Sequence, residues 1–173
     1  MKDIKSYETE RLILRATQEE DAPFVLELLN SPKWLKYIGD RKVYTIADAV
    51  KYINEKMKPQ QERLGYSNYT VIKKIDGAKM GSCGIYDREG LEGVDIGFAF
   101  LSDYERKGYA YEAAQKIMSV GFNEFNIKKI KAITTQENFS SQKLLEKLGL
   151  KFVELIKIQN DEEELMLYEI LNK

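Results

Sequence analysis

Tyr104-Glu105-Arg106-Lys107-Gly108-Tyr109-Ala110-Tyr111-Glu112-Ala113 is the stretch whose residue types and spacing offer chemistry. It follows the apolar run Ile96-Gly97-Phe98-Ala99-Phe100-Leu101 and opens a long amphipathic segment. A strand, a tight glycine-containing turn and a helix start therefore arrive in that order. The free amides at a helix N-terminus, helped by the helix dipole, form a ready site for phosphate groups. The expectation is a turn that holds a pyrophosphate-bearing cofactor. The chain contains no histidine, which excludes Ser-His-Asp and Cys-His catalysis and any metal site built on histidine. Proton transfer must fall to a carboxylate, Tyr, Ser, Cys, Lys or water, and no metal is expected.

The elements that position this turn follow from periodicity. Thr9-Glu10-Arg11-Leu12-Ile13-Leu14-Arg15 reads as a first strand. Thr17-Gln18-Glu19-Glu20 reads as a capping box opening a helix whose apolar face is Phe24, Val25, Leu28 and Leu29. Ser31-Pro32 breaks it, and a second helix begins near Thr45 and is expected to end before Pro59. Strands are expected at Tyr69 to Ile75 and Lys79 to Tyr86, joined by the tight-turn pair Asp76-Gly77, and then at Val94 to Leu101. Gly108 to Phe125 is helical, Lys129 to Thr135 a strand, and Asn138 to Leu148 a helix closed by Gly149. Two final strands, Phe152 to Ile158 and Leu165 to Leu171, flank an acidic turn. The order is β-α-α-β-β-β-α-β-α-β-β, an α/β fold with a mixed central sheet of about seven strands. Its strand-helix-strand crossover places two strands in parallel.

At 173 residues, with 43% hydrophobic and 32% charged residues, the chain suits one domain over 1–173. A net charge of -1 gives no nucleic-acid footprint. The single cysteine, Cys83, rules out an internal disulfide framework and suits a reducing compartment. The first residues lack a signal-type apolar core and no run approaches membrane-spanning length, so a cytoplasmic location without a membrane partner is expected.

This order, taken with Tyr104 to Ala113 and the segment Asn138-Phe139-Ser140-Ser141-Gln142 continuing to Gly149-Leu150, resembles the GNAT superfamily of N-acetyltransferases. Within it the chain is most similar to the Rim-type branch, named for ribosomal-protein N-terminal acetylation, and Thr9 to Arg15 is typical of that branch. The resemblance implies acetyl-CoA as cosubstrate and a splayed pair of parallel strands that admits its thioester. The family's phosphate loop reads Arg/Gln-x-x-Gly-x-Gly/Ala. Gly108 and Ala110 fit its last two positions, Glu105 departs from the first, and Arg106 stands where Rim-type loops usually carry glycine. Recognition would then rest on the backbone amides of Arg106, Lys107, Gly108, Tyr109 and Ala110. The resemblance also implies backbone contacts to the pantetheine arm at Phe100, Leu101 and Ser102. Asn138 would contact the arm and Ser141 would lie near the departing sulfur, although both also suit an ordinary helix cap.

The implied reaction is direct acetyl transfer to a primary amine, either a protein N-terminus or a small amine. With histidine absent, Asp95 in Val94-Asp95-Ile96-Gly97-Phe98 is the candidate base, and Ser141 the weaker candidate as acid or sulfur-orienting group. Cys83 reads as a small buried residue. Acceptor selection is expected from Trp34 to Tyr44 and from the loop around Asp87 to Glu92. The expected partners are the amine acceptor and, as one option, a second copy in a homodimer. The competing reading is a non-catalytic acyl-CoA sensor on the same fold. A dinucleotide-binding fold would need a Gly-x-Gly-x-x-Gly turn after the first strand of a βαβ unit, and none is present.

Overall fold

Leu12, Leu14 and Ala16 alternate inward along β2 (Leu12–Ala16), the period of a half-buried strand. The computed structural model describes residues 5–159 and 161–173. On one side β2 pairs antiparallel with β1 (Ser6–Glu8), on the other with β3 (Asn68–Lys73). The antiparallel run continues through β4 (Lys79–Tyr86) and β5 (Val94–Phe100). β5 then pairs in parallel with β6 (Lys129–Thr135), as a crossover through α5 (Tyr109–Asn123) requires. β7 (Lys151–Ile156) and β8 (Leu165–Leu171) complete one sheet of eight strands in the order β1-β2-β3-β4-β5-β6-β8-β7.

The strand count exceeds the expected seven by β1. Only Tyr7 points inward in that three-residue strand, so it leaves no alternation to read. The remaining helices are α1 (Ala22–Leu29), α2 (Pro32–Tyr37), α3 (Ile46–Tyr52), α4 (Lys58–Leu64) and α6 (Phe139–Lys147). Two other expectations shift. The first capping box sits one residue later, with the Gln18 amide donating to Asp21 at 2.9 Å. Pro59 does not end the second helical run, because a π-helical segment, Ile53–Met57, rephases the chain and delivers Pro59 into the first turn of α4. A missing N–H costs nothing there.

Alternation along β5 separates two cores. Ile96, Phe98 and Phe100 join a large cluster with Ala113, Ala114 and Ile117 of α5. Ala99, on the opposite face, packs with Val25 and Leu28 of α1 and Ala49 of α3. That second face also carries buried polar groups. Tyr86 and Ser82 donate to Asn68 Oδ1 at 2.5 and 2.6 Å, and Asn68 donates to the Thr17 hydroxyl at 2.8 Å. Thr17 and Thr70 share a hydrogen bond at 2.9 Å, and Thr70 reaches Asp21 at 3.2 Å. Asp21 is fully buried and meets Arg15 Nη2 and Lys79 Nζ, both at 2.7 Å.

Burial alone would raise the Asp21 carboxyl, but hydrogen bonds from Arg15, the Gln18 amide and Lys79 hold it below its ordinary value of 3.8. The stability it contributes is therefore present above that value and lost as pH falls through the lower folded value. Asp21→Asn should cost about 3 kcal/mol near neutral pH, the low end for breaking a buried ion pair, because Arg15 and Lys79 keep part of their surface in solvent. Urea unfolding across a pH series should also show a shallower acid loss for the variant than for the wild type. Equal urea midpoints at neutral pH would rule out this anchoring role.

Candidate active site

β5 and β6 pair only at Val94 with Ile130 and Asp95 with Lys131. From Ile96 onward β5 keeps its ladder with β4, as far as Phe100 opposite Gly81, while its other edge runs free of β6. A cleft of about 170 Å³ opens where the strands part. Phe98, Ala99 and Phe100 of β5 form one wall, and Asn138, Ser140, Ser141 and Leu144 at the start of α6 form the other. Ala110 and Glu105 close one end, and Ser31, Lys33, Trp34, Tyr37 and Ile38 in and around α2 lie across it. Asn138 caps α6, its Oδ1 accepting from the Ser141 amide at 3.3 Å, so capping and cleft-lining coexist in one residue.

The turn leading into α5 is preset. Gly108 is its N-cap at φ 82°, a conformation that favours glycine. A Cβ there would also stand 3.3 Å from Arg11 Nη2. The first backbone bond across the cap runs from the Glu112 amide to the Gly108 carbonyl at 3.1 Å. The amides of Tyr109, Ala110 and Tyr111 precede it and have no partner within the helix. Arg11, at the edge of β2, clamps this turn. Its Nη1 donates to the Lys107 carbonyl at 3.1 Å, its Nε to Glu112 at 2.8 Å, and its guanidinium lies 4.3 Å from the Tyr109 ring centre. The Arg11 amide and the Thr9 hydroxyl also donate to Glu112. Partial burial pushes the Glu112 carboxyl up, and these donors overcome that and hold it below the usual carboxylate range.

Of the residues expected from sequence, Phe100, Ala110, Asn138 and Ser141 meet in the cleft. Leu101 packs instead against the α1–α3 core, and Ser102 is exposed in a short 3₁₀ turn. Arg106 and Lys107 are exposed, while Tyr109 is buried beneath Arg11. Trp34 and Tyr37 of the expected acceptor region line the cleft, whereas Asp87 pairs with Arg63 at 2.9 Å. Asp95 is only 1% exposed and is gripped by Arg88, Nε to Oδ1 at 3.2 Å and Nη2 to Oδ2 at 3.1 Å. Burial pushes its carboxyl up, and Arg88 opposes that shift.

Asp95 shares its strand face with Ala99, roughly 13 Å further along at about 3.3 Å per residue. Tyr86 lies between them. A Cβ on Gly97 would stand 3.0 Å from the Tyr86 ring, and one on Gly84 2.8 Å from its hydroxyl and closer still to the Ser67 carbonyl. Those two glycines, paired across the β4–β5 ladder, thus make room for that ring. Cys83 is fully buried and its thiol is pushed up to about 12 by burial, which removes it as a nucleophile.

Sequence reasoning missed Arg11 as a clamp and Lys33 as a wall residue. Lys33 Nζ meets Glu105 Oε2 at 2.5 Å across the cleft. Arg11 gives no local signal, because its partner Glu112 lies 101 positions away. Lys33 had an indirect one: a partly buried carboxylate such as Glu105 calls for a counter-charge.

A family model described as the acetyltransferase (GNAT) domain matches residues 11–151. The uncharacterized N-acetyltransferase YnaD of Bacillus subtilis (strain 168) is 32% identical over 143 residues, covering 83% of this chain and 81% of that protein. The crystal structure of a GNAT-family acetyltransferase from Bacillus anthracis is similar with a TM-score of 0.79 and 28% identity, over 96% of this chain and 98% of that one. RimL, a ribosomal L7/L12 α-N-protein acetyltransferase solved with coenzyme A, shares the fold with a TM-score of 0.82 at 16% identity, over 96% of this chain and 98% of its own. Every wall of the cleft falls inside the matched residues, and this chain belongs to the GNAT family and is an N-acetyltransferase.

Proposed function

We propose that the chain moves an acetyl group from acetyl-CoA directly to a primary amine, either a protein N-terminus, as in the Rim-type branch, or a small amine. The observation that carries this reading is the cleft at the carboxyl end of the parallel pair. The free edge of β5 lies along one side, and the unpaired amides of α5 stand at one end. A pantetheine arm is amide-rich and elongated, and suits a strand edge that has lost its partner. A pyrophosphate suits a helix N-terminus.

In the reaction the neutral amine nitrogen attacks the thioester carbon. The N–C bond forms, the C–S bond breaks, the amine loses a proton and the sulfur leaves as thiolate. An α-amine titrates at about 8 and a lysine at about 10.4, so an α-amine needs only mild assistance. The thiol titrates at about 8.5, so its thiolate is a tolerable leaving group. Asn138 and the backbone of Phe100 orient the arm, since the Leu101 amide and carbonyl are taken by Met80 and Tyr104 and the Ser102 carbonyl by Glu105; the amides from Arg106 to Ala110 hold the pyrophosphate. Ser141, in the first turn of α6, donates to the departing sulfur. Asp95 is the terminal proton acceptor, reached from the amine through water. Burial makes its carboxylate more basic than an exposed one.

Thiol release from acetyl-CoA, followed over a panel of N-terminal peptides and small amines, tests the reaction. Turnover on at least one amine is expected, whereas tight coenzyme A binding without release on any amine would identify a sensor. Asp95→Asn should lower kcat by about 100-fold or more and remove an acid limb from the pH–rate profile. Loss of stability with an unchanged profile would reduce the Asp95–Arg88 pair to a structural element. Ser141→Ala should cost about 10-fold in kcat at unchanged KM for acetyl-CoA, the worth of one charge-assisted hydrogen bond. Full turnover by that variant would remove Ser141 from the chemistry.

A further inference from the structure

Among the described residues, the cleft is lined by two charged side chains, Lys33 of α2 and Glu105 of the turn before α5. They meet each other at 2.5 Å. This is an unusual endowment for a site that would take a pyrophosphate. A carboxylate facing the entering phosphates repels them, and in a partly desolvated cleft the repulsion is far less screened than in water. The turn's own cations do not offset it from inside the cleft. Arg106 and Lys107 are exposed and stand outside the lining, with the Lys107 carbonyl committed to Arg11.

We infer that Lys33 is a phosphate-binding residue of the cosubstrate site, supplying from α2 the positive charge that Glu105 withholds from the turn. This rests on the acetyl-CoA reading above. An ammonium carries three donors, and the pair with Glu105 uses one of them. Lys33 can therefore keep Glu105 neutralised and still donate to a phosphate oxygen. Its side chain is 54% exposed against 23% for Glu105, so the lysine is the freer partner to reorient toward the ligand. The contact would also tie α2, with the cleft-lining Trp34 and Tyr37, to the phosphate end of the site. Cosubstrate binding and placement of the acceptor-side wall would then be coupled through one residue.

The test pairs two cosubstrates with three variants. By calorimetry, Lys33→Gln should bind coenzyme A about 10- to 100-fold more weakly than wild type, the range for losing one hydrogen bond from a charged donor. Its kcat/KM for S-acetylpantetheine, which has no pyrophosphate, should fall at least about 10-fold less than its kcat/KM for acetyl-CoA. Glu105→Gln should bind coenzyme A at least as tightly as wild type. Lys33→Gln/Glu105→Gln should remain 10-fold or more weaker than Glu105→Gln alone. If the double variant matches Glu105→Gln, Lys33 merely neutralises its partner and the proposal is wrong. An equal loss with both cosubstrates would make Lys33 a brace for α2, which also overturns it. Wild-type affinity in Lys33→Gln would sink this proposal and leave the acetyl-CoA reading standing. Wild-type protein that binds neither coenzyme A nor S-acetylpantetheine would remove both.

Discussion

β5 and β6 hold each other through two residue pairs and then part. Each is secured on its far side, β5 by β4 along its length and β6 by β8 from Lys129 to Thr135. The opening is therefore not a frayed end but a gap between two well-anchored halves of one sheet. Peptide groups on the inner edge of β5 after Asp95 have lost their natural partners in the middle of a sheet, where such groups are normally paired. That unmet hydrogen-bonding capacity is what a ligand with its own amides can use. The helices α5 and α6 start at the mouth of the same gap, since both follow strands that end there. The cleft, the helix N-termini and the parallel pairing thus have a single geometric origin.

The opposite face of β4 and β5 shows a different economy. Gly84 and Gly97 face each other across the ladder so that the Tyr86 ring can lie over them, and its hydroxyl joins the chain of polar groups running through Asn68 and Thr17 to Asp21. Glycine in a strand normally weakens it. Here the lost side chains are replaced by one aromatic ring, and the same ring stands between Asp95 and the cleft. The Tyr86 phenol is pushed well above the usual range by burial and so takes no part as an anion.

Much of this was legible in the sequence, for physical reasons. Long periodic elements such as α5, β6 and the β3–β4 hairpin announce themselves through spacing and turn chemistry. The order of the strand, turn and helix located the turn whose last residue, Gly108, caps α5. What stayed hidden depends on contacts between distant segments. β1 is too short to alternate, and the π-helical segment ahead of Pro59 leaves no periodic trace. The Arg11–Glu112 clamp joins residues a hundred positions apart, and Asp95's separation from the cleft depends on a ring donated by the neighbouring strand. Residues recognised by motif also divided once placed. Phe100 and Ala110 reached the cleft, whereas Leu101 turned into the α1–α3 core because successive residues on a strand face opposite ways.

The turn before α5 draws its shape from outside itself. Arg11, just before β2, fixes its C-terminal half by carbonyl, carboxylate and ring contacts, and Lys33 from α2 pairs with Glu105 in its N-terminal half. A turn held at both ends by side chains from other elements need not rely on its own sequence for its conformation, which explains how Glu105 and Arg106 are tolerated where the family pattern has other residues. The two clamps differ in kind. Arg11 makes several contacts at once to a partly buried carboxylate, an arrangement in which a planar fork loses little entropy per bond. Lys33 makes a single contact through a flexible stem at a partly exposed site, an interaction weak enough to be exchanged. The first is suited to hold the amides of α5 in place, and the second can exchange without disturbing them.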